Sequence, residues 1–147
     1  ELRPALLVGR GAAVKRTHLH SGTRWEPMAG YARAVRTGDS VHVSGTTATD
    51  RDGALVGIGD ATAQTEQIVR NIAWALEQLG SGLEDVVRTR IYVRYHEHWE
   101  RVARAHGRAF AAVRPATTLV IAGLIDPEML VEVEAEAIVG SGAEPAP

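Results

Sequence analysis

Several residues in this chain have the type and spacing that chemistry requires. Arg88, Arg90 and Arg94 fall at even spacing along one stretch, and Glu132, Glu134 and Glu136 along another. A period of two puts each set on one face of an extended strand. An arginine can hold a carboxylate bidentately, and a glutamate can take a proton from water. His18-x-His20 and His96-x-His98 each put two imidazoles on one side of an extended segment. A zinc site needs a third ligand, which the sequence does not fix, so no metal is expected. His106 falls on an apolar helical stripe and reads as a core or boundary residue. Ser44-Gly45 ends a β-rich run, but no Gly-x-Ser-x-Gly elbow surrounds the serine, which argues against a hydrolase triad. Gly57-Ile58-Gly59 lacks the rest of a dinucleotide fingerprint, so no cofactor is expected.

The elements that would position these residues are legible from periodicity. Residues 14–18 read as a short strand and residues 21–30 as a loop. Residues 31–36 and 41–47 read as a hairpin around Thr37-Gly38-Asp39-Ser40. Asp60 is a good N-cap, and Ile68, Ile72, Leu76 and Leu79 recur at helical spacing up to Gly80. Ser81 with Glu84 resembles a capping box opening one further turn. Residues 86–95 alternate as a strand, with Val86, Arg88, Arg90, Tyr92 and Arg94 on one face. A second helix is expected over residues 97–112, striped by Trp99, Val102, His106, Ala109 and Phe110. Residues 117–124 form a near-continuous apolar run, and residues 130–139 alternate as a last strand. Two amphipathic helices can cover one face of one mixed sheet, giving an α+β two-layer sandwich.

The other face carries the arginines and glutamates. It is either solvated or buried between copies of the chain. Val86, Tyr92 and Ile138 on that face favour the second, with interfacial ion pairs setting register more than stability.

Composition narrows the functional classes. The chain has 147 residues, 45% of them apolar and 23% charged, which suits one soluble domain over residues 14–140. Residues 1–13 read as a flexible extension and residues 141–147 as a flexible Pro/Gly-rich tail. A net charge of −2 argues against nucleic-acid binding. The absence of cysteine removes disulfides, thiolate nucleophiles and iron–sulfur clusters. No apolar run is long enough to span a membrane, and no targeting segment is evident, so a cytoplasmic location is expected.

Six blocks, taken in order, resemble the Rid/YjgF family of reactive-intermediate deaminases, also labelled L-PSP endoribonucleases. They are Gly30-Tyr31-Ala32-Arg33-Ala34-Val35, Val41-His42-Val43-Ser44-Gly45-Thr46, the helix carrying Gln64-Thr65, Leu83-Glu84-Asp85-Val86-Val87-Arg88-Thr89, Arg114-Pro115-Ala116-Thr117 and Val131-Glu132-Val133-Glu134-Ala135. The resemblance implies a chorismate-mutase-like fold and a homotrimer, with small-molecule clefts at the subunit interfaces. It implies hydrolysis of imino or enamino acids to keto acids and ammonia. Glu132 matches the glutamate that positions the attacking water. Tyr31, Ser44 and Gly45 match residues that line the cleft.

One position departs from that pattern. The deaminating subgroup has an arginine two residues after the proline, where this chain has Thr117. Threonine cannot form a bidentate carboxylate pair. Losing such a contact, worth roughly 1.5–3 kcal/mol, weakens recognition of a 2-imino acid about tenfold to a hundredfold. Arg114, three positions away on an extended strand, points to the opposite face and is a poor substitute. Arg24, Arg88, Arg90 and Arg94 are the arginines of other segments that can approach the cleft, with Arg90 a ligand-binding candidate. The sequence therefore supports a hydrolase of altered specificity or a non-catalytic ligand-binding or regulatory trimer. RNA cleavage ranks behind both.

Overall fold

The computed structural model describes residues 11–142. The extension and tail read from the sequence lie, over residues 1–10 and 143–147, outside the described residues. Six strands, β1 (Arg16–Leu19), β2 (Ala34–Thr37), β3 (Ser40–Thr46), β4 (Val86–Val93), β5 (Ala116–Ile121) and β6 (Val131–Ile138), form one sheet in the order β1-β2-β3-β6-β4-β5. All neighbours are antiparallel except β4 and β5, which run parallel. A parallel pair needs a crossover, and helix α3 (Trp99–Phe110) supplies it. Helices α2 (Ala61–Gln78) and α3 pack on one face, as two amphipathic stripes require. The architecture is α+β with one mixed sheet.

The core lies between that helix layer and the sheet. Ile68, Ile72 and Leu76 of α2 and Val102 of α3 meet Val41, Ile91, Val93 and Val131 of the strands. Along β6 the alternation is strict: Val131, Val133, Ala135 and Ala137 are buried, and Glu132, Glu134 and Glu136 face the side without helices.

Two buried or clamped polar side chains set where β6 begins. Gln64 in α2 donates to the carbonyls of Gly57 and Glu128 and accepts from the Leu130 amide at 2.9 Å. It thereby pins the chain two residues before Glu132. Arg94 donates to the carbonyls of Leu124, Asp126 and Met129 and so braces the connection from β5 to β6. These bonds satisfy loop carbonyls that a packed connection would otherwise leave without donors.

Asp60 caps α2 by accepting from the Ala63 amide. The β2–β3 turn leaves only Gly38 and Asp39 between the paired Thr37 and Ser40. Gly38 takes φ 58°, a left-handed value natural to glycine.

The structure corrects several local expectations. Residues 21–30 are not a simple loop, because Trp25–Ala29 forms a short helix, α1. The reason is Glu26, only 3% exposed, whose carboxylate accepts from the Ser21 amide, the Ser21 and Thr23 hydroxyls and His20 Nδ1. Val86 does not share the arginine face. A register shift between Val86 and Arg88 turns Val86 into the core and leaves Val87 41% exposed. Such a shift is a bulge, and it reverses the alternation behind it. Ser81 does not box with Glu84; its hydroxyl donates to Asp85. The second helix starts at Trp99 after one 3-10 turn at His96–His98, and Ala109 is exposed. The apolar run after Pro115 is a sheet edge, with Val120 and Ile121 exposed.

Glu26 should behave as a stabilising carboxylate. Burial alone would raise its pKa, but the hydrogen bonds from Ser21, Thr23 and His20 outweigh burial and hold it down at about 2. A depressed folded-state pKa adds stability that is present above the ordinary value of 4.5 and is lost as pH falls toward 2. Glu26→Gln should destabilise the fold by about 1–3 kcal/mol at neutral pH. The gap from wild type should close on acidification. Denaturant titration at a series of pH values measures both.

Candidate functional site

The side-chain cluster most suited to chemistry lies where β3 meets β6, on the face without helices. The two strands pair up to Val43 opposite Ala135 and resume at Thr46 opposite Val133. Ser44 and Gly45 therefore face the single residue Glu134, which is a β-bulge. The Glu132 carboxylate fills the notch above Gly45. A Cβ at residue 45 would overlap Glu132 Oε1 and stand 3.1 Å from its Cδ. Glycine is required here for close approach, since its φ is not left-handed.

Burial raises the pKa of Glu132 above the usual carboxylate value; the nearby Arg33 opposes that rise and Glu134 adds to it. Burial and neighbouring charge set this direction, and no hydrogen bond to the carboxylate offsets it. Glu134, next along the face, instead accepts from Arg90 and from the Tyr92 hydroxyl. A desolvated carboxylate without a donor of its own is a stronger proton acceptor than a solvated one.

Arg33, just before β2, also stands at this site, although no motif in the sequence marks it. Its backbone carbonyl accepts from the Ser44 amide, so it stands beside the bulge. Its Nη2 donates to the Gly45 carbonyl. Its Nε is buried and has no hydrogen-bond partner. Burial lowers its pKa, while Tyr31, Glu26 and Glu132 act in the opposite direction by charge. Yet Arg33 makes no ion-pair contact with either glutamate. The available sequence signal was the spacing: Tyr31 and Arg33 are two apart and fall on one side of an extended chain.

The other expected site residues divide into two groups. Tyr31 is exposed, follows the α1 cap at Gly30 and lies near Arg33. The Ser44 hydroxyl donates to the Ala32 carbonyl at 2.7 Å, so its proton is committed to the backbone. Tyr31, Ser44, Gly45 and Glu132 thus gather around Arg33 within one chain. Arg90 lies further along the same face, held by Glu134 at 3.2 Å and Glu136 at 3.5 Å.

Thr117 lies apart. It pairs with Thr89, and its hydroxyl bonds the Thr89 hydroxyl at 2.8 Å, which in turn bonds His106 Nε2 at 2.9 Å. That chain runs on the helix side, next to an open cavity of about 450 Å³ lined by His106, Phe110, Arg114 and Pro115. His106 is therefore a buried, hydrogen-bonded residue whose pKa burial lowers. Arg24 stacks over Trp25, and Arg94 is taken up by loop carbonyls. His18 and His20 stack on each other. Among the described residues no three His, Asp or Glu side chains assemble as a metal site. No helix among them is long and apolar enough to cross a membrane.

Comparison with known proteins identifies relatives of the whole fold. Residues 21–139 match the family model described as Endoribonuclease L-PSP. An uncharacterized protein of Streptomyces coelicolor is 44% identical over 130 residues, covering 88% of this chain and 95% of that one. The 3-aminoacrylate deaminase RutC of Acinetobacter baylyi is 32% identical over 107 residues, covering 73% of this chain and 85% of that one. A crystal structure of a YjgF/UK114-family protein from Mycobacterium tuberculosis superposes with TM-score 0.77 at 44% identity, covering 85% of this chain and all of that one. A family model that spans residues 21–139, with relatives and a solved structure of the same family over most of the chain, shows that the chain belongs to the Endoribonuclease L-PSP family, the YjgF/Rid family.

Proposed function

We propose that this chain forms a homotrimer whose interface clefts hydrolyse a small imine or enamine. The observation that carries this reading is Glu132: a partly buried carboxylate of raised pKa, set in the notch of Gly45 and near a cation that it does not touch. The similarity to a protein named 3-aminoacrylate deaminase supports the same class of chemistry. The trimer accounts for the helix-free face. That face carries the Arg90, Glu134 and Glu136 ion pairs, and exposed Ile138 and Val120 flank it.

The reaction balances as follows. Glu132 accepts a proton from water as the water oxygen bonds to the imine carbon. Glu132 returns that proton to nitrogen, which gives a neutral carbinolamine. It then takes the carbinolamine hydroxyl proton and passes it to the amine as the C–N bond breaks, releasing ammonia and a carbonyl and leaving Glu132 a carboxylate. Neither a metal nor an oxidant is needed.

A second reading is a non-catalytic ligand-binding or regulatory trimer. The placement of Thr117 favours it, because that residue lacks charge and its hydroxyl is bonded on the helix side. RNA cleavage ranks lower, since three glutamates on the open face oppose a phosphate backbone.

The deciding experiment measures hydrolysis of imines generated in place by an amino-acid oxidase, with semicarbazide as competing trap. Glu132→Gln should lower kcat by about 10²–10⁴. It should also raise the melting temperature at neutral pH. A carboxyl whose folded pKa is raised contributes most below its ordinary value of 4.5 and costs stability as pH rises through the folded value. Saturable thermal stabilisation by an imine-derived ligand without turnover would establish the binding-module reading instead.

Turnover should fall on the acid side as Glu132 protonates, with a midpoint above the 4.5 of a free glutamate. A midpoint at or below that value would remove Glu132 as the base.

Gly45→Ala should leave the fold standing, because the displaced atom ends a flexible side chain. Its kcat should drop about a hundredfold from misplacement of the carboxylate. Unchanged kcat would mean that the notch has no part in the reaction.

A further inference from the structure

We propose that the recess between the β1–β2 strand pair and the C-terminal end of α2 binds the phosphate group of a small phosphorylated metabolite. The recess lies on the helix side of the sheet, whereas Glu132 faces the other side. The two sites are separate, and neither rests on the other.

The recess is open and holds about 480 Å³. That is the size of a small-molecule site, with room for more than a bare phosphate. Two cations, Lys15 and Arg36, line it, with Thr17 and Gln78 as neutral donors. Among the described residues no Asp or Glu lines it, although the chain has 18 acidic side chains and a net charge of −2. Lys15 is the one lysine of the sequence. Neither cation is in an ion pair among the described residues.

Strand register brings these groups together. Thr17 pairs with Arg36, so the two share a face of the sheet. Lys15, two residues before Thr17, returns to that face just beyond the Arg16–Thr37 pair, across from Gly38. Gly38 and Gly80 bring no side chain to fill the space. Gly80 also admits the arginine, since a Cβ there would stand 2.8 Å from Arg36 Nη1.

Arg36 is held in place before any ligand arrives. Its Nε donates to the Gly38 carbonyl at 2.9 Å and its Nη1 to the Leu79 carbonyl at 2.7 Å. These bonds answer the carbonyl end of α2, whose last turn has no basic residue. They use two of the five donors that an arginine carries. Nη2 makes no bond to the protein among the described residues, and unlike Arg33 Nε it is not sealed from solvent. A fixed guanidinium edge beside a flexible ammonium suits a tetrahedral dianion, the fork taking two oxygens and the point charge a third. Two cations also balance the two charges of a phosphomonoester, where a monoanion would leave one unanswered.

The competing account is that Arg36 only caps α2 and Lys15 is only solvated. Methyl phosphate and methyl sulfate, alike in shape and unlike in charge, separate the two. At about pH 7.5 a phosphomonoester, with its second pKa at about 6, is mostly a dianion. Binding is followed by NMR on the full chain, through the amide signals of Gly38 and Gly80. Wild type should shift both signals saturably and bind methyl phosphate about tenfold or more tighter than methyl sulfate. Lys15→Gln, which removes no cap, should weaken methyl phosphate about tenfold. Arg16→Gln removes an equal charge from the opposite face of β1 and should change the affinity less than about twofold. Absence of a saturable shift, equal affinity for the two anions, or equal losses in Lys15→Gln and Arg16→Gln overturns the proposal. Succinate binding as tightly as methyl phosphate overturns the assignment to phosphate. Arg36→Gln should lower both the melting temperature and the affinity. A lower melting temperature with affinity intact would make Arg36 a cap alone and overturn the proposal, and should that variant not fold, Lys15→Gln decides.

Discussion

The close approach of Gly45 to Glu132 is the constraint on which the site depends. Two residues of β3 face one of β6, and the extra residue opens a notch at the point where the ladder is interrupted. The notch takes a carboxylate out of water without offering it a donor. A regular ladder would keep Ser44 and Gly45 in strict alternation and leave no such recess. The rest of the fold holds this junction in place. Gln64 and Arg94 fix the approach to β6 from one side, and the β2–β3 hairpin presents the bulge from the other.

Around that junction the chain sets two glutamates in opposite electrostatic conditions. Glu26 is gathered by hydroxyls and an amide and stays ionised to strongly acidic pH. Glu132 is desolvated without such donors and is pushed the other way. Arg33 feels both and contacts neither. Titratable neighbours pushed apart by their environments are a common arrangement in sites that bind a charged group and move a proton. Here Glu26 shapes the segment leading to Tyr31, and Glu132 is the carboxylate left without a hydrogen-bond donor.

Much of this was legible before any coordinates. The strict alternation at residues 131–137 reads directly as one buried face and one carboxylate face. The helical spacing of Ile68, Ile72 and Leu76 reads as the stripe that covers the sheet. The two places where strand reading failed or fell short, Val86 and the Ser44-Gly45 pair, are both bulges. A bulge has no periodic signature, because one inserted residue looks like any other in the sequence. The short helix α1 was hidden for a related reason. Its main support is a buried charge, and a glutamate in a polar segment ordinarily reads as solvated.

The sequence by itself determined the family, the α+β class, the helix-free face of Glu132 and the loss of the arginine at Thr117. Each follows from a residue type or a local period, and local periods survive translation into structure. Only the tertiary structure decided that Gly45 touches Glu132, that Thr117 turns to the helix side, and that Arg33 stands as a partly buried cation without a carboxylate in contact. Those facts depend on strand register and on desolvation by residues distant in the chain. Register and burial are properties of the packed sheet, so no single segment encodes them.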